Sequence, residues 1–175
     1  MGWKALRALL GLAALVGIMA AASSGIAISA QTAAGAKVTP RGVGGVKIGA
    51  AFTKLRQRHL VGRLHRGCEL APNTRSARLL APLRGSVDFT RKSPRRVVDV
   101  LVRSGATARG VGIGATITDI QNAFPSAIID HSTEQTFGIT LVRIPRNGGG
   151  RIQFAVRLST HRVSLIGVPF IAFCE

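Results

Sequence analysis

The chain has 175 residues, 46% of them hydrophobic, with 24 Lys and Arg against 7 Asp and Glu and a formal net charge of +17. That length suits one ordinary domain or two very small ones, and the apolar content is enough for a core, which excludes a disordered tail. Two cysteines are too few for a disulfide-built mini-scaffold or a cysteine-only zinc site. No nucleotide, metal, cofactor or hydrolase signature stands out.

The N-terminus has the layout of an export signal. Lys4 and Arg7 form a short basic region and Ala8 to Ala22 an apolar one. Ser23, Ser24 and further small residues follow, with Ala30-Gln31 and Ala34-Gly35 as cleavage junctions. Residues 1–30 are therefore expected to be a signal peptide and 31–41 a flexible mature N-terminus, which places the protein in the extracellular space or at the cell surface. An uncleaved anchor is the alternative, because no charge occurs between Arg7 and Lys37. Against it, Ser23, Ser24 and Gly25 break the apolar run, and the cleaved chain is expected to have no membrane span. Cleavage removes Trp3, the only Trp, and Tyr is absent. Of the residue types that dominate protein-binding hot spots, only Arg then remains.

The rest of the chain repeats itself. Val46–Leu55 aligns with Val111–Ile120 at an offset of 65 residues, and the same offset places Val87 on Ile152, Phe89 on Phe154 and Val98 on Val163. Each copy is expected to open with an Ile-Gly turn and a short helix. In the second, Thr116 and Asp119 form a capping box, Ile117, Ile120 and Phe124 share a face, and Pro125 ends the helix. In the first, Phe52 and Leu55 form the equivalent stripe, Gly62 ends it, and Ala51 stands where a cap should be. Ser86–Thr90, Arg96–Arg103, Arg151–Arg157 and Arg162–Val168 read as strands from their alternation and their Val and Ile content. Pro145 to Gly150 reads as the turn of a hairpin joining Phe137–Ile144 to the strand that follows. The expected class is α+β, as two tandem repeats over 42–106 and 107–175, each a short helix followed by about three antiparallel strands.

Ile113, Gly114, Thr116, Ile120 and Pro125, with Ile48, Gly49 and Leu55 in the first copy, resemble the pattern of BamE (SmpA)-type envelope modules and of tandem-repeat β-lactamase inhibitory proteins. The resemblance covers most of residues 43–175 in outline. It implies that fold and a role in protein binding. The lipoprotein cysteine of the first group is absent here, and so are the Tyr and Trp of an aromatic binding face.

Charge is uneven along the chain. Residues 42–106 carry 14 Lys/Arg and 3 Asp/Glu, whereas 107–175 carry 6 and 4. Arg56, Arg58, Arg63 and Arg66 crowd the first helix and its exit, and Arg95 and Arg96 crowd a loop with Arg91 and Lys92. These arginines are the candidate binding face. Such a field attracts polyanions with an affinity that falls as salt rises. A protein partner is the first expectation and an anionic envelope polymer the second. Specific nucleic-acid binding is not expected, since no aromatic platform accompanies the charge. A charge run can equally be a solvated face.

In an oxidising compartment Cys68 and Cys174 are expected to pair, closing a loop of about 105 residues worth roughly 4–5 kcal/mol in the chain-entropy picture. Two buried free thiols are the alternative. Asp130, His131 and Ser132 bring the side chains of a hydrolase into one loop, but neighbours in sequence seldom converge in a triad, and a polar turn is the plainer reading. A zinc hydrolase is not expected. The expected function is that of an exported, non-catalytic binding module without metal or cofactor.

Overall fold

A computed structural model describes residues 35–68, 73–145 and 151–173. The expected signal peptide, Cys174 and all but the first residue of the Pro145–Gly150 turn lie outside the described residues. The elements in chain order are β1 (Ala36–Thr39), β2 (Gly42–Val43), β3 (Val46–Lys47), α1 (Phe52–Gln57), β4 (Val61–Arg66), β5 (Thr74–Leu79), β6 (Arg84–Thr90), β7 (Val97–Ser104) and β8 (Ala106–Thr107). They continue with α2 (Ile117–Ala123), β9 (Ile128–Asp130), α3 (Glu134–Phe137), β10 (Ile139–Ile144), β11 (Ile152–Arg157) and β12 (Arg162–Val168). One sheet has the order β3-β2-β1-β8 and the other β4-β5-β6-β7-β12-β11-β10-β9.

This corrects the expected class. Among the described residues the protein is mostly β, 48% strand and 13% helix, and it is not a pair of helix-plus-three-strand repeats. Two physical reasons account for the difference. Strands β4 and β5 carry so many arginines that their alternation is masked, although Val61, Ala77 and Leu79 are buried. And β7 pairs antiparallel with β12 through Val102 and Ile166, which fuses the strands of both halves into one eight-stranded sheet. A further four-stranded sheet contains β1, which falls within residues 31–41.

Local chemistry explains the helices. Asp119 N–H donates to Thr116 Oγ1 at 3.1 Å and Thr116 N–H donates to Asp119 Oδ2 at 2.8 Å, so α2 opens with a reciprocal cap. Ala51 gives α1 no such bond. Helices α1 and α2 each bury one residue, Leu55 and Ile120, and are held by packing rather than by their own length. Two turns carry similar bonds, with Gly49 and Gly114 65 residues apart and their strand partners 66 apart. Gly49 N–H donates to Val97 O and Gly114 N–H to Val163 O, both at 2.8 Å. Arg96 donates to Gly49 O at 3.1 Å and Arg162 to Gly114 O at 3.2 Å.

The large sheet has two different faces, because successive residues of a strand point opposite ways. One presents Val87, Phe89, Val100, Val102, Phe154 and Ile166 to α1, α2 and the small sheet, and this is the main core. The other carries Leu101, Leu141 and Ala155, covered by Ile171 from the segment after β12. Ile171 N–H donates to the buried Gln153 side chain at 2.7 Å, and Phe173 stacks on Phe137 with centroids 4.7 Å apart. Residues 169–173 thus form a strap across this second face. Gly85 marks a bulge in β6: its φ is +146°, and a Cβ there would lie 1.9 Å from Leu101 O.

Candidate functional site

The candidate arginines fall into two places. Arg56 and Arg58 project from the end of α1, and the loop carrying Arg95 and Arg96 abuts its start, where Phe52 N–H donates to Arg95 O at 2.9 Å. Arg56 donates to Val61 O at 3.2 Å and Arg96 to Gly49 O, so two guanidiniums are pinned by backbone carbonyls. Arg63 lies on edge strand β4, beside His65 and Arg78 in a shallow depression. Arg66, further along β4 and paired in register with Arg75, borders a groove on the second face of the sheet.

The carboxylates are committed inside the protein. Among the described residues there are five. Asp119 caps α2, and Asp130 pairs with Arg143. Glu134 accepts from Thr140 at 2.5 Å and meets His131 Nδ1 at 2.6 Å. Asp88 accepts from Ser76 Oγ, and Asp99 is buried with Oδ1 unpartnered. None of the five bonds to Arg56, Arg58, Arg63, Arg95 or Arg96. Asp119 and Glu134 are held below the ordinary carboxylate range by the hydrogen bonds that Thr116 and Thr140 donate.

Asp130, His131 and Ser132 do not assemble as a relay. Asp130 serves Arg143 and the Ser132 backbone N–H, while His131 turns to Glu134. A different polar row crosses the second face, where register sets His65 beside Ser76, Ser76 beside Asp88, and Asp88 beside Asp99. Burial raises Asp88, an effect that the Ser76 bond and His65 oppose. Burial, then the neighbouring Asp88, pushes Asp99 up to about 7. The Ser76 hydroxyl donates to a carboxylate rather than to an imidazole, and His65 Nδ1 meets Arg66 O at 2.9 Å. The row is built to hold a buried carboxyl pair, not to activate a serine.

Above it lies the groove, of about 570 Å³. It is lined from β4 at one end of the sheet order to β10 and β11 near the other, with Phe173 of the strap. Neighbouring strands lie roughly 4.8 Å apart, so β4 and β10 would be about 29 Å apart if the sheet were flat. Their shared groove means the sheet curls around this face, as a twisted sheet of this size does. Cys68, buried and disulfide-bonded, also lines it; its expected partner Cys174 lies outside the described residues.

Sequence reasoning missed this groove, although Asp99 within Val-Val-Asp-Val-Leu-Val was a visible signal: a charge inside an apolar strand needs a reason. Among the described residues no group of three or more His, Cys, Asp or Glu could hold a metal ion, and no helix is long and apolar enough to cross a membrane. The chain matches no known family, no curated protein and no solved structure, so the resemblance above rests on its motif residues alone.

Proposed function

We propose that this protein is an exported, non-catalytic binding module that engages a protein partner with an acidic surface. The contact is made by Arg56, Arg58, Arg95 and Arg96 around α1, extended by Arg63 and Arg66 on β4. One observation supports this reading: no described carboxylate bonds to Arg56, Arg58, Arg63, Arg95 or Arg96, so the charge of these five is left for a partner. The pinning of Arg56 and Arg96 by backbone carbonyls favours a folded partner over a flexible polymer, because a fixed charge pattern gives register as well as attraction. Export follows from the basic, apolar and small-residue order of the first thirty residues.

The test is capture from the envelope and secreted fractions of the producing cell, at low and at high salt, with the oxidised protein as bait. A discrete protein retained at high salt supports the reading. Wall polymer or nucleic acid that washes off with salt overturns it in favour of simple electrostatic binding.

A further inference from the structure

The groove on the second face is separate from α1, and its chemistry points to a different ligand. Register sets Ile166 opposite Val102, which brings Leu165 beside Arg103, and Ala155 opposite Leu165 brings Arg157 one same-face step away. Two arginines therefore flank one leucine on adjacent rows of a curled sheet. Both line the groove, and neither guanidinium makes a hydrogen bond or an ion pair with any described residue. Like charges on neighbouring rows of a sheet repel, and a bound anion relieves that repulsion. The walls here are Leu101, Leu165 and Phe173, with Phe137 stacked on Phe173.

Among the described residues the only carboxylate lining the groove is Asp88, which is already bonded to Ser76. The site thus offers two uncompensated guanidiniums, an apolar wall and the Ser86 hydroxyl, in a volume within the range of small-molecule pockets. That combination matches an anionic head on an apolar body. A bare inorganic anion would leave the walls wet, and a neutral hydrophobe would leave the guanidiniums unpaired. The strap closes one side, which limits length and disfavours a continuing polymer.

We propose that the groove binds a small organic acid, its carboxylate or sulfonate held by Arg103 and Arg157 and its apolar, preferably aromatic, body resting on Leu101, Leu165 and Phe173. Charge complementarity selects this occupant, and the proposal does not depend on the partner read for the α1 face.

The probe is anilinonaphthalene sulfonate, an aromatic anion that fluoresces when desolvated, titrated into the oxidised protein. The expected result is saturable binding at one site, weakened by about tenfold or more in Arg103→Ala/Arg157→Ala, the loss of two charge-assisted contacts. Arg41→Ala/Lys47→Ala, at the small sheet, binds as the wild type does. The neutral analogue phenylnaphthylamine binds at least about tenfold more weakly, for the same reason. In the wild-type protein benzoate displaces the dye and benzyl alcohol does not, a readout that needs no variant to fold. Absence of saturable binding, equal binding of the neutral dye, equal displacement by the alcohol, or an unchanged affinity in the folded Arg103/Arg157 variant would each overturn the proposal.

Discussion

Asp88 and Asp99 stand directly opposite each other on β6 and β7, at 3% and 2% exposure, so two carboxyl groups share one buried row. Two negative charges cannot be held there cheaply, and the Ser76 bond decides which one ionises more readily. Asp88 has that bond and the nearby His65; Asp99 has neither and titrates near neutrality.

Stability should therefore fall as pH rises from about 4 to about 7. The folded pKa of Asp99, about 7, lies above its ordinary 3.8, so folding favours the protonated form. Its contribution is complete below the ordinary value, is lost as pH rises through the folded value, and amounts to at most about 4 kcal/mol. Asp119 and Glu134, shifted downward, act in the opposite sense and only at lower pH. Urea midpoints followed by far-UV circular dichroism should decline across this window in the wild type and decline less in Asp99→Asn, where only the upward shift of Asp88 remains. Equal slopes in both would refute the assignment.

Gly85→Ala should be among the most damaging single changes. No L side chain is comfortable at φ +146°, and the new methyl would collide with Leu101 O, which is backbone and cannot rotate away. A loss of about 3 kcal/mol or more is expected from strain and a disrupted β6–β7 ladder. Gly110→Ala, with positive φ but nothing within 4 Å, should cost distinctly less, and chemical denaturation of the two variants compares them.

The two helix starts make a matched pair. Thr116→Ala removes a cap that is in use and should cost about 1 kcal/mol. Ala51→Ser supplies one that α1 lacks and should add roughly 0.5–1 kcal/mol. Opposite shifts in denaturation midpoint check both; a stabilised Thr116→Ala would contradict the capping geometry.

Cys68→Ser should lower stability by about 2–5 kcal/mol under oxidising conditions, and the wild type should lose a similar amount on reduction. Peptide mapping of the oxidised protein tests the pairing with Cys174: a linked pair of peptides is expected, and a free Cys174 thiol would refute it.

Much of the local structure was legible in the sequence. The capping box at Thr116, the stop at Pro125 and strands β6, β7, β11 and β12 follow from short-range chemistry, and all are present. What failed was assembly. Nothing in the pattern of β7 or β12 announces that Val102 will pair with Ile166, because partner choice depends on packing across the whole sheet. Strands β4 and β5 were hidden because arginines occupy positions that a simple period-two reading expects to be apolar or small. The groove was illegible for a related reason. Arg103, Leu165 and Arg157 are far apart in sequence and meet only once three strands are in register.

The arginine face is tested most directly by measuring how a captured protein partner binds wild type and the combined variant Arg56→Ala/Arg58→Ala/Arg95→Ala/Arg96→Ala at near-physiological salt. Circular dichroism confirms that both are folded. The account predicts a loss of affinity of at least about a hundredfold, since several fixed charge-assisted contacts are removed together. A partner that binds the folded variant as tightly as the wild type would contradict it.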